Sequence, residues 1–157
     1  MESLPNFKWT NPIHLLALGF GSGAVPKAPG TFGTVVGVLF YLPMSYLTGV
    51  VYLSLVGLMF FAGIYICGRT AKDFGVHDHG SIVWDEIVGY LIAMILAPTG
   101  WIWIFVGFVL FRVFDIWKPW PISLLDKKVH GGLGIMIDDV LAGLYTIGVM
   151  AVIKAWL

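Results

Sequence analysis

Charge is what this sequence has least of. Asp, Glu, Lys and Arg make up 11% of its 157 residues, against about 25% in an ordinary soluble domain. That shortage argues against a water-soluble globule. The few charges also cancel, nine basic against nine acidic, so no basic face is left to attract a nucleic acid. Cysteine is nearly absent too. A lone Cys67 excludes an internal disulfide, and its place in an apolar run reads as packing. A cleavable leader is not evident: MESLPNFKWTNP is polar, and the stretch behind it lacks a small-residue cleavage pattern. Internal repeats, low-complexity segments and a second domain are also missing, so residues 1–157 read as one domain.

What is there is apolar. Hydrophobic residues make up 59% of the chain, with a mean hydropathy of +0.90. The length suits roughly four to six membrane-spanning helices at about 20 residues each. Residues 12–22 read as a half-length or interfacial helix. Next comes GTFGTVVGVLFYLPMSYL, with Thr31 as its expected N-cap. Residues 49–68 form the cleanest span, 82–97 and 101–117 are two short ones around the breaker Pro98-Thr99-Gly100, and the last apolar run reaches the C-terminus. The expected fold is an all-α polytopic bundle of about five spans plus an N-terminal half-helix. Arg69 and Lys72 fall in one connection, and Arg112, Lys118, Lys127 and Lys128 surround another, while the turns near Thr48 and Thr99 carry neither Lys nor Arg. Cytoplasmic loops carry the excess of Lys and Arg. Residues 69–81 and 118–132 are therefore expected in the cytoplasm, with the N-terminus inside and the C-terminus outside. Trp84, Trp101, Trp103, Trp117 and Trp120 read as interfacial anchors.

Five of the nine acids lie in or beside apolar runs: Asp85 and Glu86, Asp115, and Asp138 and Asp139. The Lys and Arg counts bring all five to the same depth on the same side. A carboxylate costs roughly 2.5 to 3.5 kcal/mol at mid-helix in a bilayer, and less near the ends. Clustered acids also repel one another. A hard divalent cation relieves both problems, since Mg²⁺ takes carboxylate oxygens and keeps waters for a phosphate. Adjacent helical residues point about 100° apart, so the members of each acidic pair are expected to do different jobs. Each acid also has a purely structural reading: acids near a helix start favour its dipole, and Asp115 could pair with Arg112 or Lys118.

The anion side is thinner. VPKAPGTFGT offers Lys27 and a Gly-rich turn opening a helix, where backbone N–H groups can bind an anion. Pro119 follows Lys118 and holds it in a defined direction, although a snorkelling lysine is the simpler reading. His77 and His79 form a loop H-x-H that could hold a metal but reads better as solvated, and His14 and His130 carry no constellation of their own.

With PGTFGT, HDHGSIVWDEIVG, FRVFDIWKPWPI and GGLGIMIDDVLAG in order along the chain, the sequence resembles the phosphatidylglycerophosphatase A family over essentially its whole length. The resemblance implies an all-helical, Mg²⁺-dependent lipid phosphatase of the bacterial inner membrane, hydrolysing phosphatidylglycerol phosphate to phosphatidylglycerol and phosphate. The family's motif acids fall on Asp78, Asp85, Glu86, Asp115, Asp138 and Asp139, and its Pro-Gly-Thr turn on Pro29, Gly30 and Thr31. His79 stands where the family often has proline. On this reading Asp85, Glu86, Asp115, Asp138 and Asp139 carry catalysis and metal. Gly30, Thr31, Lys27, Asp78, Arg112 and Lys118 meet the substrate, at the cytoplasmic membrane surface. Attack by a metal-activated water is favoured, with a covalent aspartyl-phosphate as its competitor. Intramembrane acids also mark ion pathways, which makes a cation transporter the main rival. A non-catalytic assembly factor would leave the acids unexplained.

Overall fold

The computed structural model describes residues 7–156. All regular structure among them is helical, as expected. Helix α1, Pro12–Ala17, starts with Pro12 in its first turn and is capped by the Asn11 side chain, which accepts the Ile13 N–H at 3.0 Å. The half-helix expected to run to residue 22 stops at Ala17. A 3₁₀ segment, Gly19–Ala24, takes over and is broken by left-handed backbone at Phe20 and Gly21. Helix α2 is Pro29–Met44. Its cap position is Ala28, three residues earlier than the Thr31 cap expected, because Pro29 arrives with its φ already helical.

Helix α3, Gly49–Phe74, outruns the expected span by six residues and ends at the left-handed Gly75. Arg69 and Lys72 thus sit on its last turns and not in a loop. Helix α4 is Trp84–Ala93 and α5 is Trp101–Trp117. A short α6, Ile122–Lys128, occupies the stretch expected to be loop, and α7 is Gly131–Trp156. Helices α3 and α7 have 26 residues each and are long and apolar enough to cross a membrane, while α2 is a shorter apolar helix.

The helices alternate in direction. A Cβ on Gly63 would meet Met136, and one on Gly68 would meet Gly132, so α3 runs against α7. A Cβ on Gly107 would meet Met94 and Met150, and one on Gly89 would meet both Asp139 and Phe111. Helices α2, α4 and α7 therefore start at the end of the bundle where α3 and α5 finish. Their positive N-terminal dipoles point to that common end.

Helix α4 is the axis. It packs on α7, α2, α3 and α5, and all of its residues are buried except the half-buried Glu86. At ten residues it is about 15 Å long, well short of the span expected over 82–97. Such a helix survives in an apolar setting only when sheathed by protein. Close approach to α7 requires Gly89, where a Cβ would stand 2.7 Å from that of Asp139, and Gly143, where one would stand 2.8 Å from the Gly89 carbonyl. Trp84 is no interfacial anchor: it is buried, and its indole N–H donates to the Met59 carbonyl at 3.1 Å. Trp101, Trp117 and Trp120 do lie on the surface. The outer flank of α3 exposes Val50, Leu53, Leu58, Phe61 and Tyr65, a contiguous apolar strip that suits lipid better than water.

Candidate active site

The common end gathers the acids in two groups. The inner group holds Asp85 and Glu86 from the first turn of α4, Asp115 from the last turn of α5, Asp139 from α7, and the guanidinium of Arg112. Asp139 sits at its centre, in electrostatic contact with Asp115, Glu86, Asp85 and Arg112. Arg112 Nη1 donates to Asp115 Oδ2 and stands 3.9 Å from Glu86 Oε1. Four carboxylates against one guanidinium leave three formal negative charges if all are ionised. Asp138 and Asp139 lie seven and eight residues into α7, about 10 and 12 Å from its start. Asp139 meets the first turn of α4 because that helix begins deep in the bundle and not at its rim.

The outer group is built on Lys118, which ends α5 in left-handed backbone, φ 45°. Its Nζ donates to Asp138 Oδ2 at 3.0 Å and lies 3.1 Å from Asp126 Oδ1. Burial alone would lower the pKa of the Lys118 ammonium, but its contacts with Asp138 and Asp126 raise it above the ordinary value. Burial alone would raise the Asp126 carboxyl, yet its contacts with Asp138 and Lys118 hold it below the usual carboxylate range. Asp138 and Asp139, neighbours in sequence, thus serve different groups, as their angular separation on the helix requires. Asp126 lies in a stretch whose sequence looks like loop; α6 is what turns it back onto Lys118. The only sequence hint was one acid in an otherwise basic stretch.

The start of α2 adjoins the inner group. A Cβ on Gly30 would run into Glu86 Oε1 and come within 3.0 Å of both Arg112 Nη atoms. No side chain caps this helix end. Thr31 is half-buried in its first turn, its N–H given to the Ala28 carbonyl at 3.0 Å. Lys27 is exposed on the preceding loop and makes no ion pair among the described residues. Asp78 is exposed on the α3–α4 loop, near enough for Asp115 to feel its charge.

Three of the four histidines make structural hydrogen bonds. His77 Nε2 accepts the Gly131 N–H at 2.9 Å, and buried His79 accepts the Ser81 N–H at 3.2 Å. His14, which showed no constellation in sequence, is buried with Nε2 3.1 Å from Asp73 Oδ2. Cys67 is buried with its Sγ 3.8 Å from Met136 Sδ, the packing role expected.

Asp85 Oδ1, Glu86 Oε2, Asp138 Oδ1, Asp139 Oδ1 and Arg112 Nε are buried without a hydrogen-bond partner among the described residues. Such atoms in a native fold call for an ion, a water or a ligand. Four hard oxygens in a region of negative excess fit Mg²⁺ in donor type. They do not form a closed protein cage: no group of three or more His, Cys, Asp or Glu side chains among the described residues is spaced to hold a metal. Mg²⁺ does not need one, since it is usually held by one or two carboxylates with waters and substrate phosphate completing its shell.

The model of the phosphatidylglycerophosphatase A family matches residues 15–154. The chain belongs to that family. The phosphatidylglycerophosphatase A of Escherichia coli (strain K12) is 51% identical over 144 residues, covering 91% of this chain and 84% of that protein. The protein of the same name from Haemophilus influenzae is 50% identical over 149 residues, covering 94% and 91%. A Bacteroides thetaiotaomicron protein whose name provisionally assigns it phosphatidylinositol-3-phosphatase activity is 36% identical over 148 residues, covering 89% and 92%. No solved structure matches the chain. In this phosphatidylglycerophosphatase A family chain, the arrangement sets anion-binding donors from Arg112, Lys118 and the α2 start beside carboxylates with unsatisfied oxygens. That is a place where a phosphate monoester can be both neutralised and attacked.

Proposed function

We propose that the protein hydrolyses phosphatidylglycerol phosphate to phosphatidylglycerol and phosphate, in a site built by α2, α4, α5 and α7. The observation that carries this is the set of partnerless carboxylate oxygens packed against Arg112 and the uncapped start of α2. Arg112, the Gly30 N–H and Thr31 hydroxyl at the start of α2, and Lys118 bind the non-bridging phosphate oxygens and oppose the charge that builds on them. Asp139, at the centre of the inner group, is the general base. It takes a proton from water as the water oxygen bonds to phosphorus. The phosphorus–oxygen bond to the glycerol headgroup breaks, and that oxygen leaves with a proton from solvent. Asp85, Glu86, Asp115 and Asp138 are the candidate ligands for Mg²⁺, together with Asp139 when it is not acting as base. When bound, the ion would screen the phosphate charge and lower the pKa of a coordinated water.

The same reading carries the chain five times through a bacterial inner membrane, within one domain: α2, α3, α5 and α7 make four passes, and α4 with its non-helical continuation to Gly100 makes the fifth. The acidic end faces the cytoplasm, where Lys and Arg gather. A lipid headgroup then meets the acids while its acyl chains stay in the bilayer. The acids collect at one end and do not recur along the bundle, which disfavours an ion pathway.

Phosphate release from a panel of lipid phosphates by the purified protein tests the reading, the panel including phosphatidylglycerol phosphate and phosphatidylinositol 3-phosphate. Release should be greatest on phosphatidylglycerol phosphate, vanish in excess chelator and return with Mg²⁺. Failure to release phosphate from any lipid would sink the enzyme reading; full activity with metal shown to be absent would remove Mg²⁺ from it.

A further inference from the structure

Away from the carboxylates, α3 and the start of α7 leave a cavity of about 860 Å³. None of the five site acids lines it. Its floor is made of glycine. Gly68, Gly131 and Gly132 line it, and a Cβ on Gly132 would collide with the Ile64 carbonyl. The two helices therefore meet backbone to backbone and leave a groove beside the contact.

The α3 wall of this groove grades from apolar to cationic. Phe61, Tyr65, Arg69 and Lys72 follow at intervals of four, four and three residues, so they share one helix face. From Phe61 to Lys72 the helix rises about 16 Å. Phe61 and Tyr65 are 70% and 64% exposed. Lys72 is exposed and makes no ion pair among the described residues. Arg69 gives Nε to Asp73 at 3.3 Å, and a guanidinium has four further N–H donors.

We infer that this groove holds one anionic glycerophospholipid of the surrounding leaflet, with an acyl chain along Phe61 and Tyr65 and its phosphodiester at Arg69 and Lys72. The inference rests on the membrane placement proposed above. A soluble anion would leave the aromatic half of the groove uncovered. A zwitterionic lipid would bring its own cation to Lys72. A partner helix would have to bury Lys72 without a counter-charge. Only an amphiphile with a negative head matches both halves.

Native mass spectrometry of the full chain, released from bilayers of mixed phosphatidylcholine and phosphatidylglycerol, reads the site without using catalysis. The wild type should retain one phosphatidylglycerol, and Arg69→Gln with Lys72→Gln should weaken retention about thirtyfold, as expected for two cations at an anionic surface. Lys72→Gln alone leaves the Arg69–Asp73 pair intact, which guards against misfolding of the double variant, and should weaken retention about fivefold. Equal retention by wild type and Lys72→Gln would overturn the inference, as would equal retention of phosphatidylcholine by the wild type. Selective retention by a protein without phosphatase activity would uphold the groove and count against the proposed reaction alone.

Discussion

Replacing Gly30 with alanine sets helix propensity against the site. In a helix, alanine is favoured over glycine by about 0.8 to 1.0 kcal/mol, so judged locally Gly30→Ala should stabilise α2. Its Cβ, however, would overlap Glu86 Oε1 and lie 3.0 Å from both Nη atoms of Arg112. Ordinary contacts begin near 3.4 Å, so the Arg112 nitrogens must retreat by a few tenths of an ångström and the Glu86 oxygen by about 1 Å or turn away. Both are side chains and can yield, so the protein should still fold, with thermal stability changed by no more than about 1 kcal/mol. A catalytic group displaced by 1 Å can cost about 10²-fold in rate. We therefore expect Gly30→Ala to insert normally and release phosphate from phosphatidylglycerol phosphate about a hundredfold more slowly than wild type. The control is Gly57→Ala in α3, where the added Cβ meets nothing within 4 Å; it should leave turnover unchanged and raise stability by up to about 1 kcal/mol. Wild-type turnover by Gly30→Ala would show that neither the position of Glu86 nor that of Arg112 matters to the reaction.

Three further outcomes are expected. Asp138→Asn and Asp139→Asn each remove one charge at nearly constant size, so both should insert normally while at least one loses about 10²- to 10⁴-fold in rate; two variants with wild-type turnover would clear these aspartates of any catalytic part. Asp126→Asn should loosen Lys118 and lower kcat/KM several-fold; because the native carboxyl is held below its ordinary pKa, the Lys118–Asp126 contact contributes above about pH 4 and weakens as pH falls through the lower folded value, and an acid-induced exposure of α6 by hydrogen exchange that is unchanged in Asp126→Asn would refute it. In a Cys67→Ser background, single cysteines at Lys127 and Thr99 should be labelled from opposite sides of the membrane, and labelling of both from the periplasmic side would overturn the five-pass topology.

Much of the site was readable because charge is so sparse here. Each Lys or Arg constrains which helix ends share a side, and those ends carry the acids that the structure brings together. The errors arose where local signals yielded to tertiary ones. Thr31 looks like a cap, yet Pro29 begins the helix. Trp84 looks like an anchor, yet it lies buried against Met59. Residues 82–97 look like one continuous helix because all but Asp85 and Glu86 are apolar or small, yet only Trp84–Ala93 is helical, and a helix hidden inside protein is just as apolar as one facing lipid. The partners of Lys118 and His14 were illegible for a different reason. Asp126 and Asp73 stand 8 and 59 positions away from them, and no helical spacing links either pair.

The burial of α4 also bears on the order in which the molecule is made. A ten-residue helix opening with Asp85 and Glu86 is a poor substrate for insertion into lipid by itself. Its acidic first turn is enclosed by α2, α5 and α7 together, and α7 leaves the ribosome after the other described helices. During synthesis, α4 must therefore wait in the company of earlier helices or at the membrane surface, with its carboxylates hydrated. It settles only when Gly143 and Asp139 arrive to close over Gly89. The acid cluster is thus completed only after every other described helix has been made.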